Sequence, residues 1–517
     1  MPARPPLPAL RLLARSLVVT LIIGLPHIGC GSTTIEEESP YAFDDEDNDD
    51  SLLTDAKEDA VKASSYRSGC GAPIRTGTYV LKGSVVTPTS VLATGYVVVT
   101  DEKIVDVATT TGSLPEGAQV IDTKGIIFPG LIDGHGHVEY NHIPLANLGK
   151  RYSNRNQWAS AKAYTTQVKN VKKATTSAKL TCEAVRHGEI RALVGGTTAI
   201  QGTPDGPCAR PLVRNLESVN FCKDRVRGNV VPIATFTNGK PSKADSFRTD
   251  LAAGKLDALV VHCGEGIDEK IRAEWQQLKD LKLAVPQTVL IHATALQPSD
   301  FEEVALIGTK VVWSPLSNML LYGGTTNIPA ALDAGVIVCL GADWSPSGSA
   351  NLLAELKFAD RVNKKLWKSS ITDEELFKMV TVNPAIAFGM DKEVGTVEPG
   401  KSADLLVIAK ASGKSPYRTL IDAKPDDVLL VTIAGDPLFG TEALMTSLGK
   451  AGDYEVVDAC GTPRAIDITV TAKDVTNASQ KLVDIEKKLK GPNPKLTPVF
   501  DCTDDSAKAA AAGTSVE

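Results

Sequence analysis

The chain has 517 residues, 43% of them hydrophobic, 23% charged and 5% aromatic, a balance that excludes a fibre, a collagen-like repeat and a wholly disordered polymer. The formal charge is −7 and no basic cluster is present, which argues against an electrostatic grip on nucleic acid. Only seven residues are histidine, so any grouping of them at metal-ligand spacing carries weight.

Charge is uneven along the chain: residues 1–30 sum to +3, residues 31–60 to −11 and the remainder to +1. The basic start, with Arg4, Arg11 and Arg15, leads into an apolar run from Leu17 to Leu25 and then Pro26-His27-Ile28-Gly29-Cys30. A basic region, a short apolar stretch and small residues before a cysteine read as an export signal too short to span a membrane. The ending resembles a bacterial lipoprotein cleavage box, with His27 where leucine is usual. It implies an exported chain held at the membrane by a lipid anchor on Cys30, facing the periplasm or cell exterior. Residues 31–70, rich in Asp and Glu, read as a disordered tether. An exported protein is expected to pair cysteines; Cys208 with Cys222 and Cys460 with Cys502 are the local candidates, although spacing does not fix connectivity.

From Gly77 to Ile127 the sequence predicts short strands separated by Gly, Pro, Thr and Asp turns, and a similar texture returns at Gly395–Val407 and Asp427–Ala434. Between them, apolar runs alternate with helical stretches: Ile126–Ile132, Thr197–Gln201, Leu212–Val219, Val230–Thr235, Leu256–His262, Gln287–His292, Lys310–Trp313 and Val336–Leu340. This alternation predicts an α/β fold with a parallel sheet or barrel, and eight runs suit a (β/α)8 TIM barrel whose site lies at the C-terminal ends of its strands. The first run ends in Asp133-Gly134-His135-Gly136-His137. In an extended segment, residues two apart share a face, so His135 and His137 present two imidazoles to one point.

Pro-Gly-Leu-Ile-Asp-x-His-x-His closing a first barrel strand resembles the amidohydrolase superfamily, within it the cytosine deaminase-like and chlorohydrolase-deaminase branch. Gly195-Gly196-Thr197-Thr198, His262-Cys-Gly-Glu265, Ile291-His292, Pro315-Leu-Ser317-Asn318, Leu340-Gly-Ala-Asp343, Asn383-Pro384 and Gly395–Leu405 agree with that family in order. The resemblance implies a metal-dependent barrel over 129–390 and a small β-sandwich from flanking segments 71–128 and 391–445, leaving 446–517 as an accessory extension. It implies His135, His137, His262 and Asp343 as metal ligands, with one divalent ion, Zn²⁺ before Fe²⁺. A bridging lysine on the fourth strand would signal two metals, and the nearest lysine here is Lys240, in a loop. Glu265 would pass a proton to the substrate nitrogen, His292 would hydrogen-bond the attacking hydroxide, and Asp343 would double as base.

His142, Arg151, Tyr152, Trp158, Asn318 and Trp344 are the candidate substrate contacts, in loops or near strand ends. Core packing is the competing reading for the tryptophans. The function implied is hydrolysis of a non-peptide carbon–nitrogen bond in a small molecule, first of all deamination of a heterocycle by a metal-bound hydroxide. The alternatives are a two-metal hydrolase of a cyclic or acyl amide, and a non-catalytic binding lipoprotein on the same barrel. Oligomeric state is left open.

Overall fold

The computed structural model describes residues 75–202, 212–469 and 480–502. The export signal, Cys30, the acidic tether and Cys208 lie outside the described residues. Among the described residues, no helix is long and apolar enough to cross a membrane.

Strands β1 (Thr78–Val86), β2 (Val91–Thr100), β3 (Lys103–Ala108) and β4 (Gln119–Pro129) form one half of a large mixed sheet. β5 (Leu131–Asp133), β6 (Thr197–Ile200) and β7 (Arg214–Asn215) make a three-stranded parallel sheet. β8 (Val226–Asn229), β9 (Ala258–Cys263), β10 (Thr288–His292), β11 (Lys310–Trp313) and β12 (Val338–Leu340) make a five-stranded parallel one. β13 (Leu405–Ala409), β14 (Val428–Ile433), β15 (Asp436–Gly440), β16 (Glu455–Ala459) and β17 (Thr462–Ile466) complete the mixed sheet, in the order β16-β17-β15-β14-β13-β4-β1-β2-β3. The two halves meet where β4 pairs antiparallel with β13, Pro129 opposite Leu405. The fold is α/β and TIM-barrel-like.

The helices between the parallel strands follow from local sequence. Asp268 accepts a hydrogen bond from the amide of Ile271 and so caps Glu269–Asp280, whose buried Ile271, Glu274, Trp275 and Leu278 fall on one helical face. Pro298 opens the helix Pro298–Ile307, and Gly308 ends it in a left-handed conformation. One apolar cluster takes Ile132, Ala199, Leu216, Val226, Val260, Ile291, Val312 and Cys339, each from a different parallel strand or the residue beside it. The two parallel sheets therefore share an interior. They are also laced together at one seam, where the Gly134 amide donates to the Leu340 carbonyl at 3.0 Å and the Asp343 amide to the His135 carbonyl at 2.9 Å.

The strands depart from the sequence reading in three places. The first apolar run is divided: Gly130 is where the chain leaves the mixed sheet for the parallel one, and a Cβ there would lie 2.3 Å from the Thr198 side chain. The third run shrinks to Arg214–Asn215, since the Asn215 side chain accepts from the Glu217 amide and turns the backbone. The fourth strand lies at Val226–Asn229 instead of Val230–Thr235. Asn229 accepts from the Val231 amide, and Pro232, with no N–H to give a ladder, precedes a 3₁₀ turn at Ile233–Thr235. Beyond residue 445, β16 and β17 extend the mixed sheet, and Cys460 is bonded to Cys502. Cys182 and Cys222 are also disulfide-bonded.

A buried ion pair ties the mixed sheet to the parallel one. Asp404, just before β13, takes Arg214 of β7 in a two-pronged contact at 2.7 and 3.0 Å, and also accepts from Ser402 and the Ala434 amide. Burial alone would raise the Asp404 pKa, but the Arg214 guanidinium holds it below the usual carboxylate value. Asp404→Asn strands the guanidinium and is expected to cost about 3–5 kcal/mol in denaturant unfolding. Because the native pKa is depressed, the pair contributes fully above the ordinary carboxylate pKa. That contribution is lost as pH falls through the native value, so the stability gap between wild type and Asp404→Asn should close in acid.

Candidate metal and active site

Strand ends supply the side chains. His135 and His137 follow β5, His262 lies next to the last residue of β9, His292 ends β10, and Asp343 follows β12 by three residues. Backbone bonds fix the first two against the last: the Asp343 amide donates to the His135 carbonyl at 2.9 Å, and the His137 amide to the Asp343 carbonyl at 3.1 Å. The Gly136 amide is held in turn by the Gln201 carbonyl at 2.9 Å. Gly202 must be glycine: its φ is +94°, and a Cβ would lie 1.7 Å from the Gly136 carbonyl oxygen. His292 and Asp343 also have positive φ, 68° and 59°, a strain of about 1–3 kcal/mol each that the surrounding bonds sustain.

The rings are oriented by oxygen acceptors. His135 Nδ1 lies 3.1 Å from Gln201 Oε1, His292 Nδ1 lies 3.0 Å from Asn318 Oδ1, and His262 Nδ1 lies 3.4 Å from the Asn229 carbonyl. Gln201 is oriented by the Glu217 carboxylate, which accepts from its amide nitrogen. A proton on each Nδ1 leaves the Nε2 lone pairs free to converge. Burial keeps three of the imidazoles neutral, with His137 and His292 each lowered to about 3 and His262 lowered well below the ordinary histidine range, whereas the burial of His135 is outweighed by Asp343 and Gln201, which raise it. Burial would raise Asp343, but the adjacent His135, with His292 and His137, holds it well below the carboxylate range, so it is ionised.

The donor set fits a divalent metal. Ligand atoms of His135, His137 and His262 lie within 4.8 Å of one another, as do those of His135, His292 and Asp343 and those of His262, Glu265 and His292. His135 Nε2 is buried without a hydrogen bond, 3.3 Å from Asp343 Oδ1, and His137 Nε2 is 3.6 Å from the same oxygen. A buried, unsatisfied lone pair aimed at a carboxylate oxygen is costly unless a cation lies between them.

Glu265 stands beside this cluster, its Oε2 3.8 Å from His292 Nε2. Burial pushes its carboxyl up to about 7, against the opposing pull of Arg155 and the Tyr322 hydroxyl. Tyr322 donates to Oε1 at 2.6 Å and accepts from Trp158 Nε1 at 2.7 Å. Arg155 lies 3.9 Å from Oε2 and is bonded to the buried Glu274 at 3.1 Å.

Residues 242–438 match the amidohydrolase family. The 5-methylthioadenosine/S-adenosylhomocysteine deaminase of Caldanaerobacter subterraneus subsp. tengcongensis is 33% identical over 194 residues, 36% of this chain and 44% of that protein. Over residues 242–438 the chain is similar to the amidohydrolase family, and this relative is a deaminase. The 5'-deoxyadenosine deaminase of Methanothermobacter thermautotrophicus is 25% identical over 355 residues, covering 61% of this chain and 80% of that one. A crystal structure of an adenosine deaminase from Xanthomonas campestris with bound zinc matches in fold, with a TM-score of 0.58 at 16% identity over 81% of this chain and 98% of the other. The chain spans less than half the length of the first of these relatives.

The residues read as substrate contacts divide by position. Trp344 is nearest the imidazoles, with its ring centroid 5.6 Å from that of His137, and it joins Tyr140, Trp158 and Tyr164 in an aromatic cluster. Tyr152 belongs to the same cluster, its hydroxyl bonded to the Leu148 carbonyl. Arg151 is exposed and packs beside Gly323. Asn318 is buried, with its Oδ1 engaged by His292. His142 is fully buried with Nε2 3.1 Å from Thr175, a packing position. Trp313 is a core residue packed at a tilt against Trp367, ring centroids 5.5 Å apart. Tyr322, Gln201 and Glu217 were missed from sequence, since no local motif marks a residue that acts on another side chain.

Gln201→Leu removes the acceptor that orients His135. It is expected to lower affinity for a divalent metal about 10–100-fold in competition with a chelator, with the circular dichroism spectrum unchanged.

Proposed function

We propose that this chain is a metal-dependent hydrolase of non-peptide carbon–nitrogen bonds that hydrolytically deaminates a heterocycle, with an adenine-type ring as the first choice. The observation that carries the reading is the meeting of four converging imidazoles and an ionised Asp343 with Glu265, whose carboxyl is pushed up to about 7 and whose Oε2 is left to face the cluster. The names of the deaminase relatives support an aminated purine nucleoside as substrate class. The reading takes the eight parallel strands as a closed (β/α)8 barrel over 129–390, and the mixed sheet as the β-sandwich beside it.

His135, His137, His262 and Asp343 would hold one divalent ion, and three imidazoles with a carboxylate suit Zn²⁺. When bound, the ion lends Lewis acidity that makes water acidic enough to react at neutral pH. Asp343 accepts the proton of the attacking water at its carboxylate. Glu265 carries a proton on Oε2 and delivers it to the substrate nitrogen, so that the amine departs as ammonia while water oxygen remains on the ring carbon. Tyr322 holds Oε1, which fixes the direction in which Glu265 can deliver. His292, neutral and anchored by Asn318 through its Nδ1–H, turns its Nε2 lone pair to the site, where it accepts a hydrogen bond from the attacking water. Trp344 and Tyr140 offer aromatic faces beside His137, the one partly exposed imidazole of the cluster, at 23% side-chain exposure.

The export signal and the Cys30 lipid anchor belong to the same proposal. Disulfide-bonded Cys460 and Cys502 support an oxidising compartment.

The test is ammonia release from 5'-deoxyadenosine and related aminated heterocycles by metal-loaded protein, with metal stoichiometry measured on the same sample. Glu265→Gln should lower the rate about 10²–10⁴-fold while retaining bound metal. Acid or amine product from amides, with no ammonia from any heterocycle, would overturn the reading.

A further inference from the structure

The match to the amidohydrolase family ends at residue 438, yet the chain beyond it reaches the site. The helix Leu482–Leu489 buries Leu482, Ile485 and Leu489 in the core that also holds Ala184, Val185, Ile190 and Leu193 of the helix Thr181–Leu193. Lys488 and Gln480 both reach Glu183 of that helix, each at 3.0 Å. The segment is anchored again at its far end by the Cys460–Cys502 bond.

Between these anchors, three donors converge on one oxygen. Asn493 Nδ2 gives a hydrogen bond to the His142 carbonyl at 2.7 Å, the Thr497 amide at 3.1 Å and the Thr497 hydroxyl at 3.2 Å. A carbonyl has two lone pairs, so its accepting capacity is saturated from this one segment. Asn493 is itself buried, with 2% exposure.

His142 ends the short turn that follows the metal-site histidines. The turn begins with Val138–Tyr140, and the Tyr140 ring lies 6.2 Å from that of His137 and 5.3 Å from that of Trp344. It is also held by Lys172, 3.6 Å from Glu139 and over the Tyr140 ring, by Thr175, 3.1 Å from His142 Nε2, and from two further directions. Arg191 donates to the Asn141 carbonyl at 2.7 Å, while Ser345, two residues past Asp343, bonds the Asn141 side chain at 2.9 Å and the Ile143 carbonyl at 2.8 Å. A turn without regular secondary structure keeps one shape only while such bonds hold it.

We infer that Asn493 and Thr497 are positioning residues: through the His142 carbonyl, the C-terminal segment sets the turn 138–143 and with it the aromatic wall that Tyr140 builds beside His137. The kinetic consequence rests on the deaminase reading; the structural one does not.

The test uses the full chain carrying Asn493→Leu with Thr497→Val, which keeps size and removes two of the three donors, and Thr497→Ser as the conservative control. Hydrogen–deuterium exchange should quicken roughly tenfold or more in residues 138–146 of the double variant, the scale expected when one to two hydrogen bonds are lost. Exchange elsewhere, melting temperature and metal content should stay as in wild type. With 5'-deoxyadenosine, KM should rise roughly fivefold to tenfold with kcat within about twofold, as for lost positioning of bound substrate. Thr497→Ser should behave as wild type in every measurement. Unchanged exchange in 138–146, or faster exchange spread over the whole chain with a fall in melting temperature, would overturn the inference. If wild type releases no ammonia from 5'-deoxyadenosine, the deaminase reading fails while the exchange result still decides this one.

Discussion

The arrangement at the site depends on a few backbone hydrogen bonds between the end of the first parallel strand and the end of the last. They join His135 and His137 to Asp343 as main chain to main chain. Side chains placed by a ladder cannot drift as side chains on a free loop can. That constraint explains the glycines at 136 and 202, since the Gly202 position leaves no room for a Cβ against the Gly136 carbonyl. It also explains why Asp343 tolerates a positive φ, because its amide and carbonyl are both bonded, to His135 and His137.

Around this seam, polarity is arranged in layers. The Nε2 atoms of the imidazoles point inward, their Nδ1 atoms rest on oxygen acceptors from Gln201, Asn229 and Asn318, and Glu217 in turn orients Gln201. Burial separates the two carboxyl groups chemically. Asp343, among histidines, stays ionised, whereas Glu265, whose burial outweighs the pull of Arg155 and of Tyr322 on one oxygen, is raised toward neutrality. Groups of the same type held in opposite protonation states are what a reaction needs when it must both remove and deliver a proton.

Much of this was legible in the sequence because it is local. His135-Gly136-His137 reads as a two-imidazole strand end, and His262-x-x-Glu265 brings its pair together within one loop. The strand count followed from apolar runs, yet the fourth strand was displaced because Asn229 and Pro232 act on hydrogen bonding while hydrophobicity continues past them. Tyr322, Gln201 and the grip of Asn493 on His142 depend on contacts across 57, 66 and 351 residues of chain, and no periodicity encodes such distances. His142 shows the opposite error. Its place after the metal motif suggests a substrate contact, but it is buried against Thr175 and contributes its carbonyl.

The pairing of β4 with β13 has a consequence for how the chain comes to be folded. Ile126, Ile127 and Phe128 are covered by Ile408, Val407 and Leu406, partners about 280 residues further along. During synthesis the first four strands emerge long before β13 exists, and β4 then offers an open, strongly apolar edge. Such an edge is an invitation to pair with another chain. The late strand that completes the sheet therefore also removes the molecule's most adhesive surface, and a chain cut short before residue 405 would keep that edge bare.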